Sequence, residues 1–212
     1  MRLQRIIPEY EGRVRLRLRA FPLEIHGEAA PRDILEQEWW LAAIQEPAAI
    51  FKPYRGDDWP TTTLPTFDAA WCAAQQGETL GHDFDVRVRR AFFGEGRNIG
   101  RRDVLFEIAT ETGLDMADFA RTFDSYVARV AVLEEEHLGR ERYHVKGTPT
   151  LMLADGTRLR QPIAFPSMRN RKVVAVAPLP CLGEGCVEAT RALFEQALSG
   201  EKEMIGGEGN GL

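Results

Sequence analysis

"HVKGTPTLML", residues 144–153, sets a proline one residue before a short apolar run. Proline cannot donate to a ladder, so within a sheet it belongs at a strand's first residue or at an edge. The spacing predicts a short buried strand at Leu151, Met152 and Leu153, a tight turn at Asp155-Gly156, and a returning strand from Thr157 to Arg160. A hairpin over 149–160 follows. The bond before Pro149 is either trans, opening the strand, or cis, and local sequence leaves both open.

The N-terminal side carries two further patterns. "RVRLRLRAF" (13–21) alternates, with Val14, Leu16, Leu18 and Ala20 on one face and Arg13, Arg15, Arg17 and Arg19 on the other. That predicts a half-buried strand whose charged face suits a sheet edge. Before it, Leu3, Ile6, Ile7 and Tyr10 share one helix face, a pattern already running at Met1 without a capping residue. Pro8 and Gly12 bring that helix to an end.

From 31 to 140 the periodicity is helical, over about 31–46, 65–76, 82–94, 101–112, 116–123 and 125–140. Pro31, Asp33 and Pro65 suit first turns, and Gly77 and Gly113 suit stops. Trp39, Trp40, Trp71, Phe92, Phe93, Phe106 and Phe119 are expected in the core. After the hairpin, "KVVAVA" (172–177) predicts a strand and 185–199 a last helix. A strand, a block of helices, a hairpin and a helix together mean α/β with a helical insertion rather than a doubly wound sheet.

Composition narrows the function. With 27 basic and 32 acidic side chains the net charge is -5, which argues against nucleic-acid binding. No apolar stretch approaches the roughly 18 residues of a membrane helix, and "MRLQRIIPEYEG" has no signal-peptide core. Three cysteines, Cys72, Cys181 and Cys186, are too few for a secreted disulfide scaffold, so a cytoplasmic setting is expected. His82, His137 and His144 show no ligand spacing, so no metal is expected. Residues 201–212, with their glycine-rich end, are expected to form a disordered tail.

"VRLRLRAFPLE" (14–24), "AFFGEGRNIGRRDVLFEIATETGLD" (91–115) and "HVKGTPTLML" together resemble the DsbA-like branch of the thioredoxin-fold superfamily, in particular its FrnE-like members. The likeness spans roughly residues 1–165. It implies a thioredoxin-like fold with a large helical insertion: 1–27 and 141–200 form the thioredoxin-like part and 28–140 the insertion. It implies that Pro149 is the family's cis-proline and that Thr148 offers backbone groups to an extended substrate chain. Thr148 can also hydrogen-bond a thiolate and tune its pKa. It further implies a first core strand and a Cys-x-x-Cys motif opening the first helix. These 212 residues contain no Cys-x-x-Cys, and the expectation is that this segment lies upstream of Met1.

Cys181 and Cys186, in "PLPCLGEGCVEATRALFEQAL", stand in a Cys-x4-Cys arrangement. Inside one ideal helix their Cα atoms would be about 8–9 Å apart, too far for a disulfide. Gly183 and Gly185 favour a loop, which would bring them within reach and leave Cys186 near a helix N-terminus. Glu184 and Glu188 oppose a thiolate there. Three readings stand: a redox pair, as the family resemblance implies through the second cysteine pair some FrnE-like proteins carry; a structural clip; and two separate thiols. Cys72, among alanines on a helix, is expected to be a buried core residue.

The resemblance implies a thiol–disulfide oxidoreductase acting on protein or peptide thiols and disulfides, without a cofactor. A 2-hydroxychromene-2-carboxylate isomerase-like enzyme would instead take glutathione at the cis-proline loop. A non-catalytic peptide-binding module is the third class. An incomplete sheet would invite a homodimer.

Overall fold

A computed structural model describes residues 2–27, 29, 31–46, 48–159 and 163–206, with the side chains of the last helix described through Ser199. The elements run α1 (Arg2–Ile6) with a 3-10 turn (Ile7–Tyr10), a second 3-10 turn (Leu23–His26), α2 (Arg32–Gln45), α3 (Leu64–Gln75), α4 (Glu78–Phe93), α5 (Arg102–Thr112), α6 (Met116–Asp124) and α7 (Val127–Glu141). Then come β1 (Leu151–Met152), β2 (Arg158–Leu159), β3 (Pro166–Arg169), β4 (Lys172–Val176) and α8 (Glu184–Gly206). They fall into two compact units. One takes Met1–Leu16, Gln37–Ala49 and Pro149–Leu212, the other Arg17–Glu36 and Ile50–Thr148.

In the second unit α3 is the hub, packed by α4, α5, α6 and α7. Its small residues Ala69, Cys72 and Ala73 are buried, so neighbouring helices approach closely and pack Phe84, Leu105, Ile108, Phe119 and Val132 around them. Asp68, on the same buried face, holds Arg129 of α7 through Nε at 3.0 and 3.1 Å and a terminal nitrogen at 2.5 Å. The N-terminus of α3 is capped from a distance. The Glu24 carboxylate accepts from the Thr63 N–H at 2.9 and 3.1 Å and from both the Thr62 and Thr63 hydroxyls. A carboxylate at this end satisfies a free donor and complements the helix dipole.

The first unit is built on α1 against α8. Ile6 and Tyr10 pack with Val187 and Phe194, flanked by Leu3, Ile7, Val14 and Leu198. The N-terminal stripe read from the sequence is therefore a core face. The buried Tyr10 hydroxyl donates to Glu195 at 2.6 Å. Burial, then that bond, pushes its pKa up to about 12. β1 and β2 form the expected hairpin, pairing Leu151 with Leu159 and Met152 with Arg158. Its turn closes through the Gly156 N–H on the Leu153 carbonyl at 3.0 Å, with Gly156 at φ +91°.

β4 realises the strand expected at 172–177, and β3, which the sequence did not announce, pairs with it antiparallel. Their turn passes through Asn170 (φ +50°) and Arg171 (φ +61°), the positive pair that a two-residue hairpin turn requires. The Gln37 side chain tethers this hairpin to α2 through the Arg171 carbonyl and the Val173 N–H.

Three expectations need correction or completion. Residues 14–22 carry no strand. The four arginines are exposed, as an alternating face requires, but Leu18 is exposed too. A strand exists only through a ladder partner, and among the described residues none lies alongside. The Ala20 N–H goes to the Glu135 carboxylate at 2.7 Å instead. Trp40 is 60% exposed rather than core, because it lies about 100° round the helix from the buried Trp39. The last helix continues beyond 199 to Gly206, so residues 201–206 are helical rather than part of the disordered tail expected over 201–212; residues 207–212 lie outside the described residues.

Candidate functional site

α7 ends at Glu141, and the Arg142 and Tyr143 N–H groups both return to the Leu138 carbonyl. His144 turns the chain with φ +48°, and the buried Val145 anchors it with its N–H on the Gly139 carbonyl at 2.9 Å. Gly147, Thr148 and Pro149 then form a run of bends, and Thr148, Pro149 and Thr150 are exposed. Among the described residues the β1–β2 ladder begins at Leu151, with Thr148 and Pro149 just ahead of it in the chain. The opening stretch is thus a solvent-facing turn placed just ahead of a strand.

Cys181 and Cys186 are joined by a disulfide, with Cα atoms 5.0 Å apart. This removes the two-thiol alternative. The loop forms because Gly183 adopts φ +51°, a conformation that a residue with a Cβ enters only at a cost. The Gly185 N–H bonds Leu182 O and the Cys186 N–H bonds Gly183 O, each at 3.0 Å, which starts α8. Cys186 sits in the first turn of this helix and is fully buried, while Cys181 lies outside it and is half-buried.

The two acids beside Cys186 are not bare. Glu184 is held by the Arg5 guanidinium at 2.9 and 3.0 Å, and Glu188 by Arg191 at 2.5 Å. Arg191 also grips Glu9 through two bonds of 2.7 Å, which lowers the Glu9 pKa. The Glu188–Arg191 spacing of three was legible in the sequence. The Arg5–Glu184 contact, across 179 positions, had no such signal.

Cys72 is a free thiol, buried in α3. Burial, then the Asp68 charge, pushes its pKa up to about 12, so it carries negligible thiolate at neutral pH. His26, 3.2 Å from the buried Glu136, joins an acid that Arg140 also holds. The structure thus joins Cys181 to Cys186, leaves Thr148 and Pro149 on an exposed turn, and removes Cys72 from the chemistry. Among the described residues no helix is long and apolar enough to cross a membrane.

Helices inserted between the N-terminal segment and a proline-led hairpin, followed by a closing helix, define a thioredoxin-like α/β protein. The model of the DSBA-like thioredoxin domain matches residues 1–170, and the chain belongs to that family. The uncharacterized protein YwbO of Bacillus subtilis (strain 168) is 32% identical over 75 residues. The match covers 35% of this chain and 38% of YwbO. Among solved structures, the cytosolic disulfide reductase DsbM from Pseudomonas aeruginosa has a TM-score of 0.62 at 21% identity, covering 96% of this chain and 91% of that one. DsbM with GSH gives 0.61 at 21% identity, covering 95% and 91%.

Proposed function

We propose that this chain is a thiol–disulfide oxidoreductase acting on protein or peptide disulfides. Cys181 and Cys186 form its redox pair, and Thr148 and Pro149, with a cis bond between them, form the turn on which an extended substrate backbone docks. The observation that carries the reading is the Cys181–Cys186 bond at the start of α8 in a chain of this family. A bond closing so short a loop restricts the unfolded chain little, so opening it costs less than opening a long-range staple. The turn is exposed and stands directly ahead of β1, where an extended substrate chain would add as a further strand.

In each cycle two electrons pass between the pair and a substrate disulfide, through a mixed disulfide that the second sulfur resolves. Glutathione is the small thiol we assign to re-reduction, as DsbM is known with GSH bound. A cytoplasmic setting, as for that reductase, makes substrate reduction the working direction. The test is glutathione-coupled reduction of a fluorescent peptide disulfide by the wild type and by C181A/C186A. Turnover by the wild type and none by the variant is the expected result. Equal rates would sink the assignment. Glutathione binding without disulfide turnover would favour the isomerase-like class.

A further inference from the structure

The two sulfurs of the Cys181–Cys186 bond are not equivalent. Cys186 is 0% exposed, with Val187 beside it packed on Ile6 and Tyr10. One turn on, the buried Thr190 donates its hydroxyl to the Cys186 carbonyl at 2.7 Å. Cys181 is half-buried and followed by Leu182, 59% exposed, and Gly183, also exposed. Disulfide exchange places the attacking, central and leaving sulfurs nearly in line, so the attacked sulfur must face solvent with the leaving one behind it. Attack on Cys186 would have to pass through packed side chains. Cys181 is partly exposed, on a loop whose next two residues are exposed, so an external thiol meets it first.

We propose that Cys181 is the sulfur to which an external thiol adds, and that Cys186 is the leaving and resolving thiol. This rests on the reading of the pair as redox-active. In the step, a thiolate RS⁻ attacks Cys181 Sγ and an RS–Sγ bond forms. The Cys181–Cys186 bond breaks and its electron pair stays on Cys186 Sγ. A second thiolate then attacks the R sulfur, giving RSSR and the Cys181 thiolate. Two thiols are oxidised and one protein disulfide is reduced. In the reverse direction the Cys181 thiolate opens the substrate disulfide, and Cys186 resolves the adduct.

The start of α8 suits a leaving thiolate better than its sequence suggests. The helix dipole favours negative charge within the first turn. Glu184 and Glu188, which would oppose it, are each paired with an arginine, Arg5 and Arg191. Cys181 lies outside the helix and gains none of this; burial opposes charge on Cys186 as it does on Cys72, so the first turn offsets part of that cost and access sets the order of attack.

The experiment uses the oxidised 212-residue wild type, exposed briefly to reduced glutathione, quenched in acid, alkylated with N-ethylmaleimide and mapped by peptide mass spectrometry. The glutathione adduct is expected on Cys181 and the maleimide on Cys186, in a ratio of at least about tenfold. Adducts on Cys186, or equal amounts on both, would overturn the assignment while leaving the redox reading standing. A bond that glutathione does not open would remove both. In parallel, reduced C186A should react with an aromatic disulfide reagent at least about tenfold faster than reduced C181A. Circular dichroism checks the fold of each variant, and the wild-type map decides the matter where one does not fold.

Discussion

Removing the Cys181–Cys186 bond should cost the first unit about 2 kcal/mol, and that modest figure is a requirement of the proposed chemistry. The bond closes a loop with a sequence separation of 5. Loop-closure entropy for so short a loop amounts to about 2 kcal/mol at 25 °C. The packing of α1 on α8 through Ile6, Tyr10, Val187 and Phe194 does not include the bond, so it should persist after reduction. A redox pair must leave both of its states folded, and about 2 kcal/mol is well below the ~5–15 kcal/mol that usually separates native from unfolded. The assay is urea unfolding of the oxidised protein, the phosphine-reduced protein and C181A/C186A. Tryptophan fluorescence reads it, with Trp39 and Trp40 reporting on the unit that holds α8. Reduced protein and double variant should coincide, each with its midpoint lowered and its slope unchanged, and with Tm lower by about 4–8 °C. A loss above about 5 kcal/mol would make the bond a structural staple and refute the reasoning. No loss at all would mean that the bond does not hold the loop in solution.

Cys72 gives a pH signature. Its folded pKa is raised to about 12, so the unfolded chain releases this proton first. The stability tied to the neutral thiol is whole below about pH 8.5 and is lost as pH rises toward 12, at up to about 1.4 kcal/mol per unit. Unfolding of wild type and C72A between about pH 8 and pH 11 should show the difference narrowing as pH rises, and a constant difference would contradict it. Glu24→Ala should cost about 1–2 kcal/mol by stripping the cap of α3, and Glu24→Gln about half that, read by urea midpoints. Arg129→Met leaves the buried Asp68 carboxylate without its partner and should cost about 3 kcal/mol, which D68N/R129M would partly restore in a double-mutant cycle. Pro149→Ala, at an exposed position, should raise the KM for a peptide disulfide about tenfold; an unchanged KM would remove the docking turn from the proposal.

The helical region was legible because its signals are local. Gly77 and Gly113 adjoin observed helix ends, and the Asp115 side chain caps α6 from the Ala117 and Asp118 N–H groups. The β1–β2 hairpin was legible for the same reason, through Asp155-Gly156. The arginine-studded stretch at 13–21 was not, because alternation reports which faces are wet but not whether a ladder partner exists. β3 escaped because "PSMR" has neither alternation nor β-branched residues. Its one sequence signal was Asn170 at the turn, a residue that tolerates positive φ.

The cysteines show where sequence reading stops. All three have the same chemistry along the chain, and what separates them is access and field, both of which are tertiary. Cys72 is silenced by the helices that close over α3. Cys186 is buried beside Val187, whose core partners Ile6 and Tyr10 stand some 180 positions away. The acids beside it are countered partly by Arg5, at the far end of the sequence. A motif can therefore name the pair, whereas the order in which its sulfurs react depends on residues that no local pattern connects to them. If glutathione lands on Cys181, the fold has set that order by burying one sulfur and not the other.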